Sequence, residues 1–251
     1  MNIVIIGSGN VAYHLAKAFT ENNISVKQIF GRNETDLKAI SDELKISYST
    51  DNLEDADLYI ISVNDSSIAE VSKKIQKNNA LVAHTSGPVS RDTLFGTFRK
   101  SVIYPLQTFS KSKKLDYSEI PFFIDAENEE DKNTLKKLAE KISDKVLFAG
   151  DEKRKYIHLT AVFACNFVNH LFARAKEISD SQDIPFDYFL PLIDETTKKI
   201  HELEPKKAQT GPAIRNDEKV LELHQNLIKE EEHLKIYKTM NDSIKKMYNL
   251  E

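Results

Sequence analysis

Over the first 150 residues, short apolar runs alternate with amphipathic stretches. Residues 2–6 predict a strand, and 10–22 a helix with Val11, Leu15, Ala18 and Phe19 on one face. Residues 26–30 predict the next strand, 35–44 a helix and 46–48 a short strand. Residues 57–63 (DLYIISV) are almost continuously apolar, as expected of a parallel strand covered on both faces. A helix is expected over 67–77 and a strand over 80–84. Further strands are expected at 102–104, 121–124 and 145–148, with a helix over 129–143. Strands alternating with helices of this length predict an α/β fold, a doubly wound and mostly parallel sheet with helices on both faces.

After Gly150 the period changes. Residues 152–181 read as one long helix with apolar side chains on more than one side, among them Leu159, Val162, Phe163, Val168 and Leu171. Such a helix is buried in a helical domain or against a partner. Helices are also expected over 187–203, 218–227 and 233–248, and the polar segment 206–217, with Gly211-Pro212, as a structured loop. The expected organisation is thus an α/β domain over 1–150 and an all-helical domain over 151–251. The apolar surface of the latter points to a homodimer built through it.

Composition narrows the class. With 35 basic and 39 acidic residues the net charge is -4, which speaks against a nucleic-acid partner. No apolar run approaches a membrane span, and residues 3–6 are too short for a signal-peptide core, so a cytoplasmic location is expected. A single cysteine, Cys165, excludes an intrachain disulfide and is expected in the core. The pattern shows no metal-binding motif. Glycine is scarce, 7 in 251 residues, and two of the seven stand two positions apart, between the end of one apolar run and the start of one helix.

That site is Gly7-Ser8-Gly9-Asn10-Val11-Ala12, a G-x-G-x-x-A between strand and helix. Its first glycine permits a tight turn, the second lets backbone approach a pyrophosphate, and Ala12 allows close helix–strand packing. The helix N-terminus adds N–H groups and partial positive charge. This is the Rossmann dinucleotide fingerprint in its proper context. At the end of the second strand, Gly31-Arg32-Asn33 replaces the acid expected of an NAD site. Arg32 suits a 2′-phosphate, so NADP is favoured over NAD, although Glu34 and Asp36 are close by.

Two more strand-end loops are expected to line the cofactor. Val63-Asn64-Asp65 follows the central strand, although Asp65 or Ser66 serving as a helix cap is the alternative reading. His84-Thr85-Ser86-Gly87 follows the next, with His84 able to titrate near neutrality; Ser86 and Gly87 are placed at the substrate end. Tyr104–Phe109 is a similar loop with less to recommend it. On the long helix, His158, Asn166, Asn169 and His170 are polar residues in apolar surroundings. At about 100° per residue, His158 and Asn169 project about 20° apart, and Asn166 about 80° from His158.

GSGNVA, AHTSG, YPLQTF, YIHLTAVFACNFVNHL and QTGPAIRNDEKVLELH recur in this order. Together they resemble Rossmann-like NADP oxidoreductases that carry a C-terminal domain of unknown function, relatives of 6-phosphogluconate dehydrogenase and pyrroline-5-carboxylate reductase. The resemblance implies a nucleotide-binding domain followed by a helical dimerisation domain. Hydroxyacid dehydrogenases of that superfamily carry a lysine one turn before an asparagine; here Val162 precedes Asn166, so the usual catalytic lysine is missing. The expected function is hydride transfer between NADP and a small carbonyl, hydroxy-acid or imine substrate. His158 is the expected acid/base, and Asn166, Thr210 and Arg215 are expected to orient the substrate, Arg215 being suited to a carboxylate. A non-catalytic dinucleotide-binding or redox-sensing protein is the alternative, and a deazaflavin as hydride partner a third option.

Overall fold

The computed structural model describes residues 1–250. Its elements run β1 (Ile3–Ile6), α1 (Asn10–Glu21), β2 (Val26–Phe30), α2 (Glu34–Leu44), β3 (Ser47–Ser49), β4 (Leu58–Ile61), α3 (Ile68–Ser72), β5 (Leu81–His84), β6 (Arg99–Pro105), β7 (Phe122–Ala126), α4 (Glu129–Ala139), β8 (Val146–Phe148) and α5 (Asp151–Ala161). The strands form one sheet in the order β3-β2-β1-β4-β5-β6-β7-β8. Every neighbouring pair is parallel except β6 with β7. The doubly wound, mostly parallel sheet expected from the apolar pattern is what the chain forms.

The two-residue period of β1 explains why its IVII run is apolar throughout. Ile3 and Ile5 join a core with Leu15, Phe19, Ile29 and Leu37. Val4 and Ile6 join a second core on the opposite face with Tyr59, Ile61 and Val82. A strand covered on both faces has no position left for a polar residue. The helix expected over 67–77 is shorter, Ile68–Ser72, preceded by a 3-10 turn over Asp65–Ser67. Ser72 Oγ donates to the Ala69 carbonyl and accepts from Phe95 N–H, and such local bonds compete with helix propagation.

Two compact units divide between Asn166 and Phe167, so α5 belongs with the sheet unit. The division falls within a π-helical segment, Val162–Phe167, that interrupts the long helix expected from the sequence. The second unit is helical, with α6 (Val168–Asp180), α7 (Leu190–Glu202), α8 (Pro205–Ala208), α9 (Glu218–Leu227) and α10 (Glu231–Met247). Glu177 of α6 bonds His233 of α10 at 3.0 Å, and His224 of α9 bonds Tyr237 of α10 at 3.0 Å. Only Ser179, Ala213 and Leu221 are buried among the described residues of this unit. No helix of the described residues is long and apolar enough to cross a membrane.

Candidate functional site

The glycine turn is clamped from both sides. Gly7 N–H donates to the Phe30 carbonyl at 2.8 Å, and Ser62 N–H to the Ile6 carbonyl at 2.7 Å. Gly7 has φ +132, and a Cβ there would lie 2.1 Å from the Ser62 carbonyl oxygen, so no other residue fits. Gly9 caps α1 in extended conformation, and a Cβ added to it would meet nothing within 4 Å. The first turn of α1 carries no acidic residue. Ala12 is fully buried, and Ser8 and Val11 are half-buried beside the turn. A rigid turn with open space at Gly9 and uncompensated helix N–H groups fits a dinucleotide pyrophosphate.

At the end of β2, Gly31 N–H donates to the Ser49 carbonyl at 3.3 Å. Arg32 is exposed and has no ion pair among the described residues. Asn33 departs from expectation: it caps α2, accepting from Asp36 N–H at 3.2 Å and donating to Asp36 Oδ2 at 2.7 Å. Its amide is therefore committed to the helix start. Asp36 Oδ1 receives Lys111 Nζ at 3.0 Å. The segment bearing Lys111 is itself latched to α1. Asn10 Nδ2 donates to the Phe109 carbonyl at 3.0 Å, and His14 Nε2 to the Ser110 carbonyl at 2.8 Å. His14 is 1% exposed and its Nδ1 accepts from Tyr117 Oη at 2.9 Å. Burial pushes the Tyr117 pKa up, which keeps that hydroxyl a donor.

Beyond β4 and β5, Ser62 Oγ and Thr85 Oγ1 lie 3.0 Å apart. Val63 packs against the second core, whereas Asn64, Asp65 and Ser66 are exposed. Neither the 3-10 turn nor α3 has a side-chain cap, so the capping alternative for Asp65 and Ser66 is not realised. His84 corrects an expectation. It is fully buried; Ser86 N–H donates to its Nδ1 at 3.2 Å and its Nε2 donates to the Ser90 carbonyl at 3.3 Å. Desolvation, assisted by the Arg154 charge, lowers its pKa to about 4, so it does not titrate near neutrality. Ser86 is also buried, its hydroxyl accepting from Val89 N–H at 3.3 Å to hold the turn.

Topology brings His158 to the same edge. Because β7 and β8 run against β6, the chain leaves β8 at the amino edge of the sheet, and α5 returns toward the carboxyl edge. Arg154 anchors that return. It is fully buried, with Nη1 donating to Asp125 Oδ2 at 3.2 Å and the Ala149 carbonyl at 3.0 Å, and Nη2 to the Val89 carbonyl at 3.0 Å and Asp151 at 2.5 Å. Asp125 is shared with Arg91 Nη1 at 3.2 Å. One helical turn beyond Arg154, His158 Nδ1 lies 3.2 Å from Tyr104 Oη. A Cβ on Gly87 would come within 2.8 Å of the Tyr104 ring and 3.1 Å of His158 Cβ, so this glycine is what lets the three segments close together. Burial, and then the charge of Asp65, raise the Tyr104 pKa to about 12.

Sequence reasoning missed Arg154, Asp125 and Lys111 as parts of this region, and gave the loop that begins at Tyr104 little weight. Of the expected residues, Ser86, Gly87 and His158 are brought together. Asn166 is exposed in the π-helical segment, where i→i+5 bonding takes every later residue out of the 100° count, so the expected angles to Asn166 and Asn169 do not hold. Cys165, expected in the core, is exposed. His170 is exposed and accepts from Arg174 Nε at 3.3 Å. In the second unit, Thr210 and Arg215 are exposed on the loop between α8 and α9, which turns at Gly211 (φ +110) and is pinned by buried Ala213. No group of three metal-ligating side chains occurs among the described residues.

Residues 2–86 match the family model described as NADP oxidoreductase, coenzyme F420-dependent, and residues 120–244 match a domain of unknown function, DUF2520. A comparison with curated proteins found no match. Among solved structures, a candidate NADP oxidoreductase of Bacteroides fragilis is 41% identical, with TM-score 0.91 over 97% of both chains. A pyrroline-5-carboxylate reductase of Coxiella burnetii is 14% identical, TM-score 0.58, over 98% of this chain and 93% of its own. An imine reductase of Myxococcus stipitatus, solved with NADP+, is 13% identical, TM-score 0.64, over 99% and 92%. The last two share the fold. With 41% identity along nearly its whole length, the chain belongs with the first, in the family of Rossmann-like NADP oxidoreductases that carry a C-terminal domain of unknown function.

Proposed function

We propose that the protein is an NADP-dependent reductase or dehydrogenase acting on a small carbonyl, hydroxy-acid or imine substrate, with His158 as its acid/base. The observation that carries this reading is the His158–Tyr104 pair packed over Gly87, at the carboxyl edge where the glycine turn also lies. NADPH, when bound, supplies the hydride. The N–H groups around Gly7-Ser8-Gly9 and the start of α1 hold the pyrophosphate, and Arg32 holds the 2′-phosphate. Gly31 leaves room for the ribose, while Val63, Asn64, Asp65 and Thr85 border the path toward the nicotinamide. In reduction, protonated His158 donates Nδ1–H to Tyr104 Oη and Nε2–H to the substrate oxygen or nitrogen. The ring is left neutral, its remaining proton on Nδ1. Tyr104, with its pKa of about 12, stays a hydroxyl throughout and fixes the ring.

Arg32→Ala tests the cofactor assignment. A charge-assisted pair contributes about 1.5–3 kcal/mol, so NADPH should bind roughly tenfold to a hundredfold more weakly and NADH almost as before. Equal losses in a calorimetric titration would remove the 2′-phosphate role. Oxidation of NADPH on addition of a carbonyl and imine panel tests the activity. Binding without turnover on any of them would favour a sensor.

The helical unit is proposed to pair with a second copy. With three buried residues among its 84 described ones, the unit leaves too much apolar surface in water: Leu192 is 64% exposed, Leu227 67% and Tyr188 74%. Two-fold pairing covers one such face with its own copy. Light scattering at micromolar concentration should return twice the chain mass of 28.7 kDa. A monomer would refute the pairing.

A further inference from the structure

We propose that Lys111 is a second cationic element of the cofactor site, selecting the 2′-phosphate together with Arg32; the inference rests on the NADP reading above. In sequence, 111–114 looks like an ordinary solvated lysine run. In the structure its first member is built into place.

Two bonds from α1 hold the preceding residues, Asn10 to the Phe109 carbonyl and His14 to the Ser110 carbonyl. His14 is almost wholly buried and packs against Phe109 with ring centroids 5.2 Å apart and the planes tilted by 36°. The segment is therefore a fixed wall beside the glycine turn. From it Lys111 reaches Asp36, and Asp36 in turn receives Asn33, the residue after Arg32. Lys111 thus stands two hydrogen bonds from the neighbour of the proposed phosphate-binding arginine.

The charge arithmetic gives this a purpose. Glu34 and Asp36 both lie in the first turn of α2, where a phosphate dianion on Arg32 would meet their repulsion. The Lys111 ammonium cancels Asp36. It has three N–H donors and gives one to Asp36, and the side chain is 33% exposed, so donors remain for a phosphate oxygen. A lysine placed only to tie down the loop would add nothing to the choice between NADPH and NADH, because the two cofactors differ only in the 2′-phosphate.

Calorimetric titration with NADPH and NADH separates the cases, with NADH affinity as the internal check on folding. Lys111→Ala should weaken NADPH about fivefold and leave NADH unchanged, the scale of a partly exposed ion pair. Lys111→Arg should restore the preference. Equal weakening of both cofactors, or of neither, overturns the proposal. Arg32→Ala in parallel distinguishes the failures. If it discriminates while Lys111→Ala does not, only the lysine assignment falls. If neither variant discriminates, or the unmodified protein prefers NADH, the NADP reading itself falls.

Discussion

His158→Ala should lower turnover by about 10²–10⁴-fold, the usual contribution of a positioned proton donor, with NADPH affinity nearly unchanged. The separation follows from geometry. His158 sits with Tyr104 and Gly87, whereas phosphate binding is proposed for the Gly7 turn and Arg32. Tyr104→Phe removes only the bond that orients the ring and should cost much less than loss of the imidazole. The check is steady-state kinetics with a substrate found in the carbonyl and imine panel, paired with calorimetry of NADPH. Undiminished turnover in His158→Ala would end the acid/base assignment. Loss of NADPH binding in the same variant would assign the residue to the cofactor instead.

Acid should destabilise the sheet unit through His84 before its carboxylates respond. The native pKa is about 4, against 6.5 for a free imidazole, because the ring is buried and Arg154 lies near; Asp151 and Asp65 oppose this only partly. As pH falls below about 6.5 the unfolded chain takes up a proton that the native chain refuses. The stabilisation is complete above that pH and is lost progressively down to about pH 4, where the native ring is protonated as well. At 1.36 kcal/mol per unit, the loss is about 3 kcal/mol. Glu43 and Asp57, whose pKa values are lowered by hydrogen bonds from Lys17 and from the Asn2 backbone, lose their contributions at lower pH. Urea unfolding at pH 7 and pH 4.5 should show this slope in the native protein and a much flatter one in His84→Asn, which retains an acceptor for Ser86 N–H. Identical slopes would mean that the buried imidazole is not the sensing group.

The centre of the fold was legible because a strand covered on both faces must be apolar at every position, as β1 and β4 are. The glycine turn was legible because Gly7 faces a carbonyl that excludes any side chain, a demand made by near neighbours in a standard unit. The reversal of β7 was not, since FFIDA carries the same pattern in either direction. His84 looked able to titrate near neutrality because a polar group at a strand end reads alike whether aimed outward or folded back, and here the turn over 86–90 takes its ring. Arg154 and Asp125 escaped notice because their meaning lies in a pairing across 29 residues. Lys111 was obscured by its neighbours, which make it look like one of several surface charges. The wheel drawn through the long helix failed at its π-helical segment, which no residue type in VFACNF announces.

The strand order also bears on how the chain is made. β1 precedes every other strand of the sheet along the chain and yet is an interior one, with β2 on one side and β4 on the other. Once residue 62 has left the ribosome, the nascent chain holds β2-β1-β4 and both clamps on the glycine turn, the Phe30 carbonyl and the Ser62 N–H. The proposed phosphate cradle is thus complete in composition while Tyr104 and His158 are still to be translated. A nucleotide that engages this early fragment would favour its folded form by mass action, so that the cofactor serves as a template for the sheet before it serves as a reagent.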